Sequence, residues 1–253
     1  MKITFLGTGT SQGIPVIGSK HEVCLSKDLK DKRLRSSILL EWDKNSFVID
    51  CGPDFRQQLL RTGLDHLSGI LFTHFHADHT AGLDDVRPFS QRFGEVQFYC
   101  DHGVASNLKE RFAYIFATEG RYIGAPKVFL NVIDKNPFEL YGKKIIPIEV
   151  MHGNLEILAY RIDDMAYITD AKHIAEKEIR KLNNLDVLIV NALRIEPHPT
   201  HFNLEEALDF IAKINPKRAY LTHISSRLGF HKKVSEQLPE NVFLAFDGLE
   251  LNL

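Results

Sequence analysis

Cysteine is scarce in this 253-residue chain: there are three, Cys24, Cys51 and Cys100, an odd number at wide spacing. That excludes a disulfide framework. No apolar run approaches the roughly 18 residues of a membrane span, and the opening MKITFLGTG has no apolar leader segment. The expectation is a soluble, cytoplasmic protein with no membrane partner. An excess of positive charge is also missing, with 31 basic against 33 acidic residues and a formal charge of −2. A protein that grips nucleic acid by neutralising phosphates normally carries a basic surplus, so nucleic acid is disfavoured as a partner. No low-complexity tract, charge block or internal repeat offers a place to cut the chain, and we expect a single domain over residues 1–253. Hydrophobic residues at 44% and charged residues at 25% are ordinary for a globular protein and exclude disorder as the main state. The abundant residue is histidine, at 12.

Along the chain, apolar runs at Lys2–Leu6, Ser37–Trp42, Ser46–Asp50, Gly69–Thr73 and Val96–Cys100 read as strands. Asp43-Lys-Asn45 reads as a hairpin turn, and Pro53 opens a helix that Gly63 closes. His102–Phe116 reads as one amphipathic helix, with Val104, Leu108, Phe112 and Ile115 on its apolar face. In the second half, strands are expected at Lys127–Ile133, Lys144–Val150, Ile157–Ile162, Met165–Thr169, Asp186–Ala192, Arg218–Thr222 and Val242–Phe246. Helices are expected at Ala175–Leu182, from an Asn203 cap through Ile214, and at His231–Leu238. Two clusters of strands separated by amphipathic helices suggest an α/β protein with two sheets and helices outside. The polar residues worth attention fall at strand ends, the usual address of a site in such folds.

The densest of these is His74-x-His76-x-Asp78-His79, directly after the apolar run Gly69–Thr73. Three imidazoles and a carboxylate are poor core fillers, and together they need polar partners. Alternation puts His74 and His76 on one side, and a turn at Ala77-Asp78 lets Asp78 and His79 face a second point. The spacing therefore suits two adjacent metal ions better than one. Further ligands are on offer at other strand ends: His152, Asp170 and His223. Taken singly, each has a plainer reading: a surface or hydrogen-bonded histidine, or, for Asp170, the N-cap of the following helix.

The run Thr73-His-Phe-His-Ala-Asp-His79 resembles the H-x-H-x-D-H signature of the metallo-β-lactamase superfamily, and His152, Asp170 and His223 match its remaining ligands in order. Asp50, in Val48-Ile-Asp-Cys-Gly52, is similar to the buried aspartate that supports those ligands. The resemblance covers essentially the whole chain. It implies an αββα four-layer sandwich, two facing sheets with outer helices, and a dinuclear site. It further implies that His74, His76 and His152 hold one ion, that Asp78, His79 and His223 hold the other, and that Asp170 bridges them. A donor set of nitrogen and oxygen points to two divalent ions, zinc, manganese or iron.

Phe5-Leu-Gly-Thr-Gly-Thr-Ser-Gln-Gly-Ile-Pro15, Gly82-Leu-Asp-Asp-Val-Arg-Pro88 and His201-Phe-Asn-Leu-Glu-Glu-Ala207 resemble a narrower branch: the phosphoribosyl 1,2-cyclic phosphate phosphodiesterase and its ribonuclease Z-like relatives. That resemblance implies a phosphodiesterase acting on a small or cyclic phosphodiester through a metal-bridging hydroxide. His201 would be the acid that protonates the leaving group, and His198 is its rival. Two other activities remain open: tRNA 3′-processing, and hydrolysis of a lactone or thioester on the shared fold. A homodimer is the default assembly. The chain departs from the branch at a structural zinc site, where Ser19-x-His21-x-x-Cys24 and Ser226 stand in place of C-x-C-x-x-C and a histidine. Two of four ligand types are serine, so a vacated site is expected, with His231 as the one further ligand within reach.

Overall fold

The computed structural model describes all residues, Met1–Leu253. It has two compact units, Met1–Leu6 with Ser37–Asp134 and Glu250–Leu253, and Gly7–Ser36 with Lys135–Leu249. In chain order the strands are β1 (Lys2–Gly7), β2 (Ser37–Trp42), β3 (Asn45–Ile49), β4 (Gly69–Leu71), β5 (Val96–Cys100) and β6 (Val128–Val132). Then come β7 (Phe138–Leu140), β8 (Lys143–His152), β9 (Leu155–Ile162), β10 (Met165–Ile168), β11 (Val187–Asn191), β12 (Arg218–Thr222), β13 (Val242–Leu244) and β14 (Glu250–Asn252).

The first unit is built on a seven-stranded sheet of order β14-β1-β2-β3-β4-β5-β6. β2 and β3 form an antiparallel hairpin from Ile38↔Ile49 to Trp42↔Asn45, turned at Asp43 with φ +54°. From β3 to β6 the strands run parallel, so their carboxyl ends share one edge. Asp50 directly follows β3, and Thr73 and His74 lie just beyond β4 at that edge. Phe55, Leu59, Leu83, Phe89, Val104 and Leu108 pack from the helices onto Val48, Ile70, Phe72 and Phe98 of the sheet side. The helix Phe55–Thr62 ends where Gly63 turns left-handed at φ +69° and returns its N–H to the Leu59 carbonyl.

The second unit has a sheet of order β13-β12-β11-β10-β9-β8-β7. β8 and β9 pair from Ile145↔Ile162 to His152↔Leu155. β10 to β13 run parallel. Because β8 and β10 both pair antiparallel with β9, they point the same way. His152, Asp170 and His223 therefore lie along one edge of this sheet, at the ends of β8, β10 and β12. The helix Leu204–Ile214 begins with a reciprocal capping box between Asn203 and Glu206, as the sequence spacing anticipates. Its Ala207, Phe210 and Ile211 join Leu188, Val190 and Leu221 in the core.

Several expected elements differ in detail. The helix expected over His102–Phe116 breaks at Phe112 into His102–Arg111 and Ala113–Phe116. Four of the residues Phe112–Phe116 are aromatic or β-branched and hold a helix poorly, and the separate turn buries Ile115 while Tyr114 donates to Asp84 at 2.5 Å. The helix expected over Ala175–Leu182 is α-helical only at Glu176–Ile179 and tightens to 3₁₀ at Arg180–Leu182. The strand expected to stop at Val150 continues to His152, which is its last residue rather than the first of a loop. Asp170 caps no helix: its backbone is left-handed at φ +58°, and Ala175 precedes the helix instead. The short edge strands β7 and β14 carry too few apolar residues to announce themselves.

Candidate metal centre

In the first unit the site is built on Asp50. Its Oδ1 accepts the Thr73 N–H at 2.8 Å, and its Oδ2 accepts the Thr73 hydroxyl at 2.8 Å and stands 2.7 Å from Nδ1 of His79. Burial pushes this carboxyl above its ordinary range, and His79 and Thr73 oppose the shift. With three donors on it, the group acts as an acceptor. Nδ1 of His79 therefore carries its proton, and Nε2 keeps a lone pair. The same reasoning reaches His74. The Thr73 hydroxyl spends its proton on Asp50, so its oxygen accepts from Nδ1 of His74 at 2.9 Å. Nε2 of His74 is left as the basic nitrogen, and it stands 3.0 Å from Nδ1 of His76. Asp78 Oδ2 lies 3.2 Å from Nε2 of His79. Asp78 and Nε2 of His79 thus bring two electron-rich atoms together, as a bound cation requires.

A tight turn holds these groups in place. Ala77–Thr80 is a single helical turn starting after His76, and Thr80 Oγ1 donates back to the His76 carbonyl at 2.9 Å. Arg111 anchors the turn from outside, donating from Nη1 to the Phe75 carbonyl at 2.9 Å and to Thr80 Oγ1 at 2.9 Å. Sequence reasoning did not single out Arg111, since a basic residue on an amphipathic helix carries no signal of what it reaches.

In the second unit the focus is Asp170. Thr169 donates to its Oδ2 at 2.6 Å, while Nε2 of His201 and Nε2 of His223 each lie 3.1 Å from its Oδ1. Nδ1 of His152 lies 2.9 Å from the Thr200 carbonyl, which can only accept, so the proton is on Nδ1 and the lone pair on Nε2. His152, Asp170 and His201 offer ligand atoms within 4.8 Å of one another. The rings of His201 and His223 stack with centroids 5.0 Å apart. Asn191, fully buried at the end of β11, pins the residue after Asp170 by accepting the Ala171 N–H at 2.8 Å and donating to the Ala171 carbonyl at 3.0 Å. Asp50, Asp170 and His223 all have left-handed backbones, at φ +63°, +58° and +54°. Such strain in non-glycine residues gathers where side chains must be aimed. Burial pushes the His201 imidazole down to about 4, against the pull of Asp170 and with His223 adding to it; burial and nearby Arg194 also lower His198.

The residues set apart by the departure at Cys24 make no comparable cluster. Cys24 Sγ accepts the Val16 N–H at 3.5 Å, and His21 Nδ1 accepts the Val23 N–H at 3.3 Å. Burial pushes the Cys24 thiol up, but Val16, Ser19, Ser226 and the charge of Lys32 bring it below its ordinary value overall. Nδ1 of His231, considered as a further zinc ligand, instead faces Nη2 of buried Arg33 at 3.1 Å.

The chain matches the family model of the beta-lactamase superfamily domain over residues 45–224. It superposes with a TM-score of 0.93 and 39% identity on a crystal structure described as a new diphosphatase from the PhnP family, covering 100% of this chain and 97% of that one. It is 39% identical over 253 residues to a Porphyromonas gingivalis protein named octanoyltransferase, covering 99% of this chain and 51% of that protein. It is 35% identical over 195 residues to a ribonuclease Z of Methanococcus maripaludis, covering 75% of this chain and 55% of that one. The chain spans about half the length of the curated relatives it matches. The human short-form tRNase Z, with a TM-score of 0.71 at 19% identity, shares the fold. No helix is long and apolar enough to cross a membrane. The two seven-stranded mixed sheets with their helices are thus the αββα fold expected from the sequence, and the chain belongs to the metallo-β-lactamase superfamily of metal-dependent hydrolases, in the branch that contains the PhnP family and ribonuclease Z.

Proposed function

We propose that residues 1–253 act as one hydrolase domain that cleaves a phosphodiester or related P–O bond in a small anionic substrate. His74, His76 and His152 would hold one divalent ion, Asp78, His79 and His223 a second, and Asp170 would bridge them. The carrying observation is the set of fixed tautomers. Thr73, Asp50 and the Thr200 carbonyl engage Nδ1 of His74, His79 and His152, leaving Nε2 of each as the donor atom. Metal-ligating histidines are held in this way, because a proton on the wrong nitrogen removes the ligand.

Two bound divalent ions would supply a nucleophilic water near neutral pH and neutralise charge on the phosphoryl oxygens. The chain's own residues do the rest. His201, with Nε2 toward Asp170, would protonate the departing oxygen from the imidazolium form, which burial disfavours and an anionic phosphate beside it would restore. His198 lies behind it, with its Nδ1 3.2 Å from Nδ1 of His201, and so fits a supporting place better than the acid's own. The similarity to a diphosphatase supports phosphorus as the centre attacked and admits a phosphoanhydride as well as an ester. The formal charge of −2 favours a small substrate over tRNA.

Purified protein loaded with zinc or manganese should hydrolyse bis-p-nitrophenyl phosphate or a diphosphate diester, and should leave a precursor tRNA and an acyl thioester intact. Turnover of the thioester alone would overturn the phosphorus reading. Cleavage of the precursor tRNA alone would move the assignment to ribonuclease Z, which the 35% identity to that enzyme favours as the second reading.

A further inference from the structure

We propose that β6, the outer strand of the first unit's sheet, pairs antiparallel with β6 of a second copy of this chain, joining two seven-stranded sheets into one. The backbone leads there. β6 pairs parallel with β5 from Val96↔Val128 to Cys100↔Val132. The Lys127 carbonyl accepts the Val96 N–H at 3.1 Å, and the Ile133 N–H donates to the Cys100 carbonyl at 2.9 Å. Backbone groups alternate in direction along a strand, so Lys127, Phe129, Asn131 and Ile133 serve β5. Those of Val128, Leu130 and Val132 point outward, each an N–H and a carbonyl that meet no partner within the chain.

Edge strands normally carry a device against such pairing: extreme shortness, a charge, a proline or a bulge. The other sheet edges here are β14, β7 and β13, of three residues each, and β14 and β7 also carry a glutamate. β6 has five residues, Val-Phe-Leu-Asn-Val, with no charge and no proline. Its apolar side chains are half-uncovered on both faces, for Phe129 and Val132 point to opposite sides and each is 51% exposed. The one edge long enough to pair well is thus also the one left undefended.

The strand is its own complement. A two-fold axis at Leu130 sets that residue opposite the partner's Leu130, and Val128 opposite the partner's Val132. Every outward group is then used, because each of these opposed pairs exchanges two N–H···O=C bonds. Sliding the strands by two residues instead sets one end of the run against Pro126 or Asp134, outside the strand. The side chains match in the same register. Val132 is covered beside the partner's Val128, Phe129 lies opposite the partner's Asn131, and Lys127 meets the partner's Ile133, so no like charges are opposed. A strand of another protein would have to bring this pattern by chance, whereas a second copy brings it by construction.

Sedimentation equilibrium of the full chain should show a dimer at micromolar concentration. Val132→Pro removes an outward N–H and no bond to β5, at a place where an edge strand tolerates proline. It should weaken dimerisation by about 30-fold or more, since the two-fold axis makes the change cost two hydrogen bonds. The register is read separately. Leu130→Cys would set two thiols on Cα atoms about 5.5 Å apart, within reach of a disulfide. Mild oxidation should therefore link two chains through Leu130→Cys and not through Phe243→Cys, on the exposed face of β13, while the native cysteines are buried. Should Val132→Pro unfold, as circular dichroism would show, the Leu130→Cys link alone decides. A monomeric native chain would overturn the proposal and leave the edge to a strand of a different protein. So would a dimer that tolerates Val132→Pro, or one in which Leu130→Cys links no better than Phe243→Cys, since either places the interface elsewhere.

Discussion

The Gly7–Ser36 and Lys135–Leu249 unit contains two regions rich in metal-binding side chain types, and they differ in what those side chains face. Around Asp170, the imidazoles of His201 and His223 turn Nε2 toward one carboxylate oxygen, and His152 has its other nitrogen tied to a carbonyl. Around Cys24, the sulfur accepts a backbone N–H, Lys32 donates to the Cys24 carbonyl at 2.9 Å, and His231 looks at a guanidinium. Asp31 is spent as well, accepting from the Ser26 hydroxyl and from the His231 N–H at 2.7 Å. In the first arrangement a carboxylate and imidazole nitrogens face one point. The second has cations and hydrogen-bond donors where an ion would need bare lone pairs. Side chain type alone does not make a metal site; a convergent set of acceptors does.

The sharpest way to break this comparison is to remove acceptors from the first region and its counterpart after β4. Asp170→Ala and His76→Ala should each lower phosphodiester turnover by more than about 100-fold, beyond the 10- to 100-fold typical of losing a supporting contact, and should reduce bound metal. Elemental analysis beside the rate assay checks this. Unchanged metal content in both variants would show that neither residue is a ligand.

The second region predicts the opposite response. Cys24→Ser removes the most metal-binding atom there, yet metal content should stay at two equivalents per chain. The protein should lose on the order of 1 kcal/mol of stability, since Cys24 is buried in the apolar core and its sulfur is an acceptor. Urea unfolding with metal analysis separates the two effects. A third equivalent of metal that disappears in Cys24→Ser would return the region to the class of metal sites.

How far each region could be read from the sequence follows from the same contrast. His74 to His79 announce themselves because their ligand atoms come from a single turn, where spacing alone carries the geometry. His152, Asp170 and His223 are spread over three strands that the sheet order brings to one edge, so only their order along the chain, set beside the family pattern, identifies them. The strands other than β7 and β14, and the Asn203 cap, were legible from alternation and turn chemistry. Thr200 and Arg111 were not, because a threonine in a loop and an arginine on a helix acquire meaning only from what they reach. The break at Phe112 was hidden by an apolar spacing that continues through it, although the chain changes direction there. At Cys24, the two serines signalled a departure from the family, but the sequence could not show that Arg33 would take up His231.

The smallest effect sharpens that last point. Burial, then the charges of Arg33 and Lys30, push the His231 imidazole down to about 4, with Asp28 and Asp31 opposing. Its ring packs edge-on against Phe246, over which Lys30 also sits. The native state therefore holds His231 neutral at pH values where the unfolded chain, titrating near 6.5, is protonated. Between those two values the unfolded state binds more protons, so stability rises with pH across the window. The contribution is fully present above about 6.5 and is lost progressively as pH falls toward 4. Moving from pH 7.5 to pH 5 should cost the native protein about 1 kcal/mol through this residue, after allowing for solvent screening. His231→Gln, which can accept from Arg33 but cannot titrate, should lose that much less over the same change. The comparison is made as a difference between the two proteins, so that the histidines near Asp170 cancel. Parallel pH profiles of the urea midpoint for the two would mean that His231 is not held neutral by its cationic neighbours. The distinction between an imidazole that faces acceptors and one that faces a guanidinium would then fail at its most direct test.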